Sequence, residues 1–187
     1  MVVREKFEGE LQELKVNVVR MGDMAVTALD KAYKALLDKD IDLALSVLDE
    51  DKRIDKLEEE IEESAILMIA KQQPVASDLR HIISAIKISS EIERVGDYAK
   101  NIAKTAIRLA KEELPFQNDG VAEMHGICLR MMTMFKESYK EENLAMAKEL
   151  AELDDRLDEL YGQVIQSILS VSPKGTDKHH QNSQLLF

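Results

Sequence analysis

Three side chains able to donate oxygen stand four residues apart: Glu93, Asp97 and Asn101. A helix through this stretch stacks them on one line, roughly opposite the apolar seam of the same segment. A second ladder, Asp51, Asp55, Glu58 and Glu62, runs beside the core face of the preceding helical stretch, and Asp23 lies on the outer side of the one before it. Clusters of oxygen donors suit hard cations such as Mg²⁺, Mn²⁺ or iron. Acids four apart on a helix also repel, a small penalty that a cation would remove. With 36 acidic residues such pairs arise by chance as well, and a solvated face that binds nothing is the bland alternative.

Other chemistry has little to stand on. The chain has no P-loop, GxSxG, GxGxxG or HExxH pattern, and no Glu-x-x-His of the kind a di-iron bundle needs. Familiar catalysis therefore has no visible apparatus. A phosphotransfer histidine needs an exposed position in mid-helix; nothing singles out His81 or His125 for that role, and His179 and His180 fall in a polar loop. The lone Cys128 gives neither a disulfide nor a cysteine metal cluster.

The elements that must position the acids are helices. Phe7, Leu11, Leu14, Val18, Met21, Ala25, Ala28, Ala32 and Leu36 advance by threes and fours, which predicts a helix over about 3–38. Asp40 reads as the N-cap of a second helix that buries Leu43, Val47, Ile54, Leu57, Ile61, Ala65 and Met68. Pro74 stops it. A third helix, from near Val75 to about Glu113, has Ala85, Ile88, Ile92, Val95, Ala99, Ile102, Ala106 and Leu109 as its seam. Pro115 to Gly120 is a linker. A fourth helix over about 121–141 carries Met124, Ile127, Met131, Met134 and Phe135, which read as core filling rather than a soft-metal box. Asn143 caps a fifth, with Leu150, Leu157, Leu160, Val164 and Ile168 inward. A polar loop from Ser172 to Gln181 follows, and Gln184 to Phe187 reads as the opening of a sixth helix.

Composition agrees. Aromatics are 4% of the 187 residues and tryptophan is absent, so aliphatic helix packing is expected over an aromatic-rich sandwich. With 25 basic against 36 acidic residues the net charge is −11, which repels phosphate backbones and disfavours direct nucleic-acid binding. The charged N-terminus is unlike a signal peptide, and no stretch approaches a membrane span, so a cytoplasmic protein is expected, with membrane contact only through partners.

The chain also repeats itself. A shift of 103 positions lays Asp40 on Asn143, Ala44 on Ala147, Asp51 on Asp154, and Arg53-Ile-Asp-Lys-Leu57 on Arg156-Leu-Asp-Glu-Leu160. One helical unit has been used twice. Short loops between long amphipathic helices then give antiparallel three-helix bundles, the first over 1–114 and the second, incomplete, over 121–187.

Glu93-Arg-Val-Gly-Asp97-Tyr-Ala-Lys-Asn101-Ile-Ala resembles the E-R-x-G-D-x-A-x-N-I-A signature of the PhoU family of phosphate-uptake regulators. Gln73-Pro-Val-Ala-Ser-Asp-Leu-Arg80, Asp51-Lys-Arg-Ile-Asp-Lys-Leu-Glu58 and the two-copy layout add to the likeness. The resemblance implies an all-α protein of two tandem three-helix bundles that is not an enzyme. It implies negative regulation of phosphate uptake and of the phosphate-starvation response, through contacts with the Pst phosphate transporter and the phosphate sensor histidine kinase. It also implies metal (iron, zinc, manganese or magnesium) at the ExxxD motif, with Glu93 and Asp97 as the motif carboxylates. Asp55, Glu59 or Glu62, and Asp23 are weaker additions from the helical wheel. In the second copy Asp154 and Asp158 are present, but Phe187 corresponds to Lys87, so a second ExxxD falls beyond it and the apolar face of that unit is expected to lie open. Tyr98 stands where the family often has histidine. The competing expectations are a metal-free helical adaptor and a carboxylate-metal hydrolase; a homodimer is compatible with any of the three.

Overall fold

Five helices realise the periodicity: α1 (Val2–Asp38), α2 (Ile41–Gln72), α3 (Ala76–Leu109), α4 (Asp119–Glu141) and α5 (Leu144–Ser170). The computed structural model describes residues 2–111 and 119–170, and among these there is no strand. Helices α1, α2 and α3 pack on one another as a three-helix bundle, α4 pairs with α5, and α4 rests on α1. The expected sixth helix near Gln184–Phe187 lies outside the described residues, as does most of the Pro115–Gly120 linker; its last two residues already begin α4.

The repeat reaches the backbone. At the α1–α2 turn Lys39 takes a left-handed φ of 56°, and its counterpart Glu142 takes 55° at the α4–α5 turn. Asp40 N donates to Ala35 O at 3.1 Å, and Asn143 N to Ser138 O at 2.9 Å. The expected caps form: Asp40 Oδ1 accepts from Leu43 N at 2.9 Å, and Asn143 Oδ1 from Ala145 N at 3.0 Å. Each answers backbone amides that have no partner inside the helix.

The α1 seam is buried as expected at Phe7, Leu14, Val18, Met21, Ala25, Ala28 and Ala32, with Leu11 and Leu36 only partly buried. Helix α2 buries Ala44, Val47, Ile54, Leu57, Ile61, Ala65 and Met68, and in the same row Asp51, where the heptad pattern calls for an apolar residue. Helix α3 departs from expectation on one flank of its seam. Of the expected seam, Ala85, Ile92, Ala99, Ala106 and Leu109 are buried, but the row completing the buried face is Ile82, Ser89, Gly96 and Ala103, seven apart, while Ile88, Val95 and Ile102 are only half-buried. Small residues bring α3 close to α2: a Cβ on Gly96 would sit 3.2 Å from Ile54 Cδ1. The helix is thus rotated from the orientation that its bulky apolar residues alone would set.

The second unit is more open. Ala147 and Asp154 are exposed, whereas their counterparts Ala44 and Asp51 are buried under α3. The α1–α4 contact that joins the units mixes apolar packing, with Met132, Phe135 and Tyr139 of α4 against the first bundle's core, and polar pairs. Lys136 of α4 pairs with Asp23 of α1, and Lys15 Nζ lies 2.9 Å from Glu142 Oε1. The His125 ring stacks on Tyr33 with centroids 4.0 Å apart, and its Nε2 is 3.5 Å from Asp30 Oδ1.

Candidate functional site

The rotation of α3 decides where the acids go. With Gly96 facing Ile54, the residues on either side of it, Glu93, Asp97 and Lys100, come to the α2 boundary. The line Glu93–Asp97 therefore lies beside the core, half-buried, not opposite it as its spacing against the bulky seam suggests. Across from it α2 contributes Asp51, Asp55 and Glu58.

Asp51 is the deepest member, 3% exposed at its side chain, and its Oδ2 lies 2.6 Å from Lys100 Nζ. The same ammonium donates to Asp97 Oδ1 at 3.0 Å. Lys100 thus ties α2 to α3, and these two hydrogen bonds, that to Asp51 first, hold its pKa well above the usual lysine range. The other oxygen of Asp51, Oδ1, is buried with no hydrogen-bond partner among the described residues.

The remaining acids are under electrostatic stress. Burial and then the Asp51 charge push Asp55 up from the ordinary aspartate value. Burial followed by Asp97 and Asp55 raises Glu93, and burial followed by Glu62 and Asp55 raises Glu58. Both burial and like charge oppose ionisation, so the fold carries a cost that a cation would offset.

Of the other sequence candidates, Glu59 and Glu62 are exposed at the edge of this face on α2, adding to the fields at Asp55 and Glu58 respectively. Asn101 continues the α3 line but is exposed. Asp23 is not brought to the cluster, being paired with Lys136 at the α1–α4 contact. Asp158 lies exposed on α5. His125 is packed on Tyr33, which does not suit a phosphotransfer role, and His81 is exposed on α3. Sequence reasoning placed Asp51 in the ladder but not in the core, and gave Lys100 no role. The signal was there: Asp51 interrupts an apolar row, and Lys100 is one turn beyond Gly96 on the same side.

The donor set fits a hard cation in kind, since it is all oxygen and includes a buried, unpartnered one. Among the described residues no three His, Cys, Asp or Glu side chains converge on one point. The described side chains thus offer oxygen donors but not the three or four converging protein ligands of a zinc site. A separate feature, not foreseen from the sequence, is a groove of about 550 Å³ between the units, walled by Leu11, Ile88, Phe135 and Leu150 with Lys15 and Glu142 at its edge.

A repeated all-helical unit, with an acid face set beside its core by a glycine-bearing ExxxD segment, defines the class. The PhoU domain family model matches residues 18–106 and again 121–183, and the chain belongs to this family. It is 36% identical to the phosphate-specific transport system accessory protein PhoU homolog of Clostridium acetobutylicum, over 100% of this chain and 85% of that protein. The homolog from Aquifex aeolicus is 40% identical over 86% of this chain and 73% of its own length. Crystal structures agree: PhoU from Pseudomonas aeruginosa superposes with a TM-score of 0.91 at 26% identity, covering 96% of this chain and 87% of its own. The phosphate transport system regulatory protein PhoU from Streptococcus pneumoniae gives 0.87 at 25%, covering 96% and 84%. Among the described residues no helix is long and apolar enough to cross a membrane.

Proposed function

We propose that the chain is a cytoplasmic negative regulator of phosphate uptake and of the phosphate-starvation response. It acts by docking helical faces on a phosphate ABC transporter of the Pst type and on a phosphate sensor histidine kinase, and not by catalysis. Family membership supports the link to phosphate transport, since the relatives carry that role in their names. In this reading Glu93 and Asp97 hold a metal ion on the α2–α3 face, with Asp55 and Asp51 behind them and Glu58, Glu59 and Glu62 extending the negative field. Magnesium or manganese fits the oxygen donors better than zinc; iron shares the preference for oxygen. The metal neutralises the face so that an anionic or acidic partner can approach it.

The observation that carries this reading is the meeting of the signature pair Glu93 and Asp97 with the acids of α2 beside the buried Asp51. Deleting the gene should leave phosphate-starvation genes expressed in phosphate-rich medium, with repression restored by the wild-type chain and not by the Glu93→Gln/Asp97→Asn variant. Full repression in the deletion strain would discard the regulatory reading. Full rescue by the variant would discard the metal part alone.

A second reading, a metal-free helical adaptor, is favoured by one observation: Lys100 already places a positive charge between Asp51 and Asp97. It predicts that partner binding survives chelation.

A further inference from the structure

We propose that the end of the first bundle around Ile66, Val75 and Ile83 is a docking surface for an amphipathic helix of a partner protein, one that carries Asp or Glu beside its apolar stripe. The inference rests on the docking part of the reading above, names the surface and the chemistry of its partner, and does not depend on metal.

The stretch 64–90 differs in charge from the rest of the chain. It holds one acid, Asp78, against Lys71, Arg80 and Lys87, in a chain that has 36 acids over 187 residues. Asp78 lies in the field of Arg4 of α1. Lys71 and Leu67 turn to the α1 side, beside Glu10 and Glu13. Arg80 and Lys87 form no ion pair among the described residues. They share one face of α3 with Ile83, at steps of three, four and seven. The register of the bundle brings Ile66 to the same place. Lys100 meets Asp51 and Gly96 meets Ile54, so each step back along α3 matches a step forward along antiparallel α2, and Ile66 falls level with Ser84, beside Ile83. Ile66 is 53% exposed, Ile83 39% and Val75 74%, although both helices bury their core rows almost completely. Val75 sits in a turn held by two left-handed residues other than glycine, Gln73 at φ 46° and Ala76 at φ 45°, strain of the kind that persists at contact sites.

The chemistry of the partner follows from this arrangement. Large apolar side chains exposed along the boundary of two antiparallel helices take the apolar anchors of a third helix laid over it. Arg80 and Lys87 flank that line on α3 and call for carboxylates on the visiting helix. A lipid surface is the rival for a basic and apolar patch, and the neighbouring charges disfavour it. Glu62 is one turn from Ile66, about 6 Å along α2 at 1.5 Å per residue, which is inside a Debye length of about 8 Å. A flat anionic surface that met Arg80 would meet Glu62 as well, and then a chain of net charge −11. A single helix can set its carboxylates over Arg80 and Lys87 alone.

The test titrates the full chain at neutral pH with two labelled helical peptides of about 18 residues, read by fluorescence anisotropy. Both carry the same leucine stripe, flanked by glutamate in one and by lysine in the other. A chain of net charge −11 without this surface should prefer the lysine peptide. The proposal expects the glutamate peptide to bind about three- to ten-fold more tightly. Ile66→Ser/Ile83→Ser should weaken it by about ten-fold or more, and Arg80→Gln/Lys87→Gln should abolish its preference. These side chains are exposed, so the variants should keep the wild-type circular dichroism. A preference for the lysine peptide, unchanged binding by the variants, or no binding of either peptide would overturn the proposal. Sedimentation with phosphatidylcholine–phosphatidylglycerol vesicles, lost in Arg80→Gln/Lys87→Gln, would overturn it in favour of a lipid surface. In the deletion strain, wild type should restore repression and Ile66→Ser/Ile83→Ser should not. Failure of wild type would remove the regulatory reading; full repression by the variant would remove this surface alone.

Discussion

Replacing Glu93 by glutamine keeps the shape of the side chain and removes its charge. In the metal-free protein the wild-type carboxylate is disfavoured by burial, and is repelled by Asp97 one turn along α3 and by Asp55, Glu58 and Asp51. One like-charge pair at (i, i+4) costs about 0.2–0.5 kcal/mol. The facing acids of α2 bring the total to about 1 kcal/mol at the effective dielectric of a protein surface. Glu93→Gln should therefore stabilise the fold at pH 7 by roughly 0.5–1 kcal/mol, raising Tm by about 1–4 °C. The sign with pH follows from linkage. The folded-state pKa of Glu93 lies above its ordinary value of 4.5, so between the two the native state holds more protons than the unfolded one. Stability falls as pH rises through that window, the penalty is complete above it, and it is gone below the ordinary value. Urea melts with chelator present, at pH 7 and at pH 4.5, check this: the advantage of the variant should be clear at pH 7 and mostly gone at pH 4.5. A variant less stable than wild type at pH 7, or an advantage that persists unchanged at pH 4.5, would refute the reasoning.

Gly96→Ala should be neutral to destabilising by about 2 kcal/mol, because overpacking against the buried Ile54 outweighs the gain in helix propensity. Adding Ile54→Val, which removes the Cδ1 atom 3.2 Å away, should recover part of the loss in a chemical-denaturation double-mutant cycle; additive effects would argue against the contact. Lys100→Met alone should cost about 3 kcal/mol by stranding the buried Asp51 charge, and Lys100→Met/Asp51→Leu should restore most of it in the same melts. Asp40→Ala should lose about 1 kcal/mol through the N-cap of α2, read as a lowered urea midpoint with an unchanged slope.

Much of the fold was legible because its signals are local. Steps of three and four set the helices, and Asp40 and Asn143 set two starts through their own side chains. The offset of 103 between the copies holds down to the left-handed Lys39 and Glu142, whose backbone angles no propensity scale singles out. The rotation of α3 was not legible. The sequence placed Ala85, Ile92, Ala99, Ala106 and Leu109 inward correctly, but it put bulky Ile88, Val95 and Ile102 beside them, whereas the bundle buries Ser89, Gly96 and Ala103 there, because small residues allow close approach to Ile54. That same rotation moves Glu93 and Asp97 from the solvent side to the edge of the core. The acids themselves were recognisable by spacing and by their resemblance to the family signature. The partnership of Asp51 with Lys100 was not, since it joins residues 49 positions apart on different helices, and no periodicity links them. Asp23 was nominated for its outward position, but that side of α1 faces α4, and Lys136 claims it.

The most direct test of the account is the metal content of the α2–α3 face. Elemental analysis after equilibrium dialysis against Mn²⁺ should show bound metal retained by wild type and lost from Glu93→Gln/Asp97→Asn, both variants of state being helical by circular dichroism. Equal metal in the two proteins, or none in either, would contradict the claim that these carboxylates form a cation-binding face.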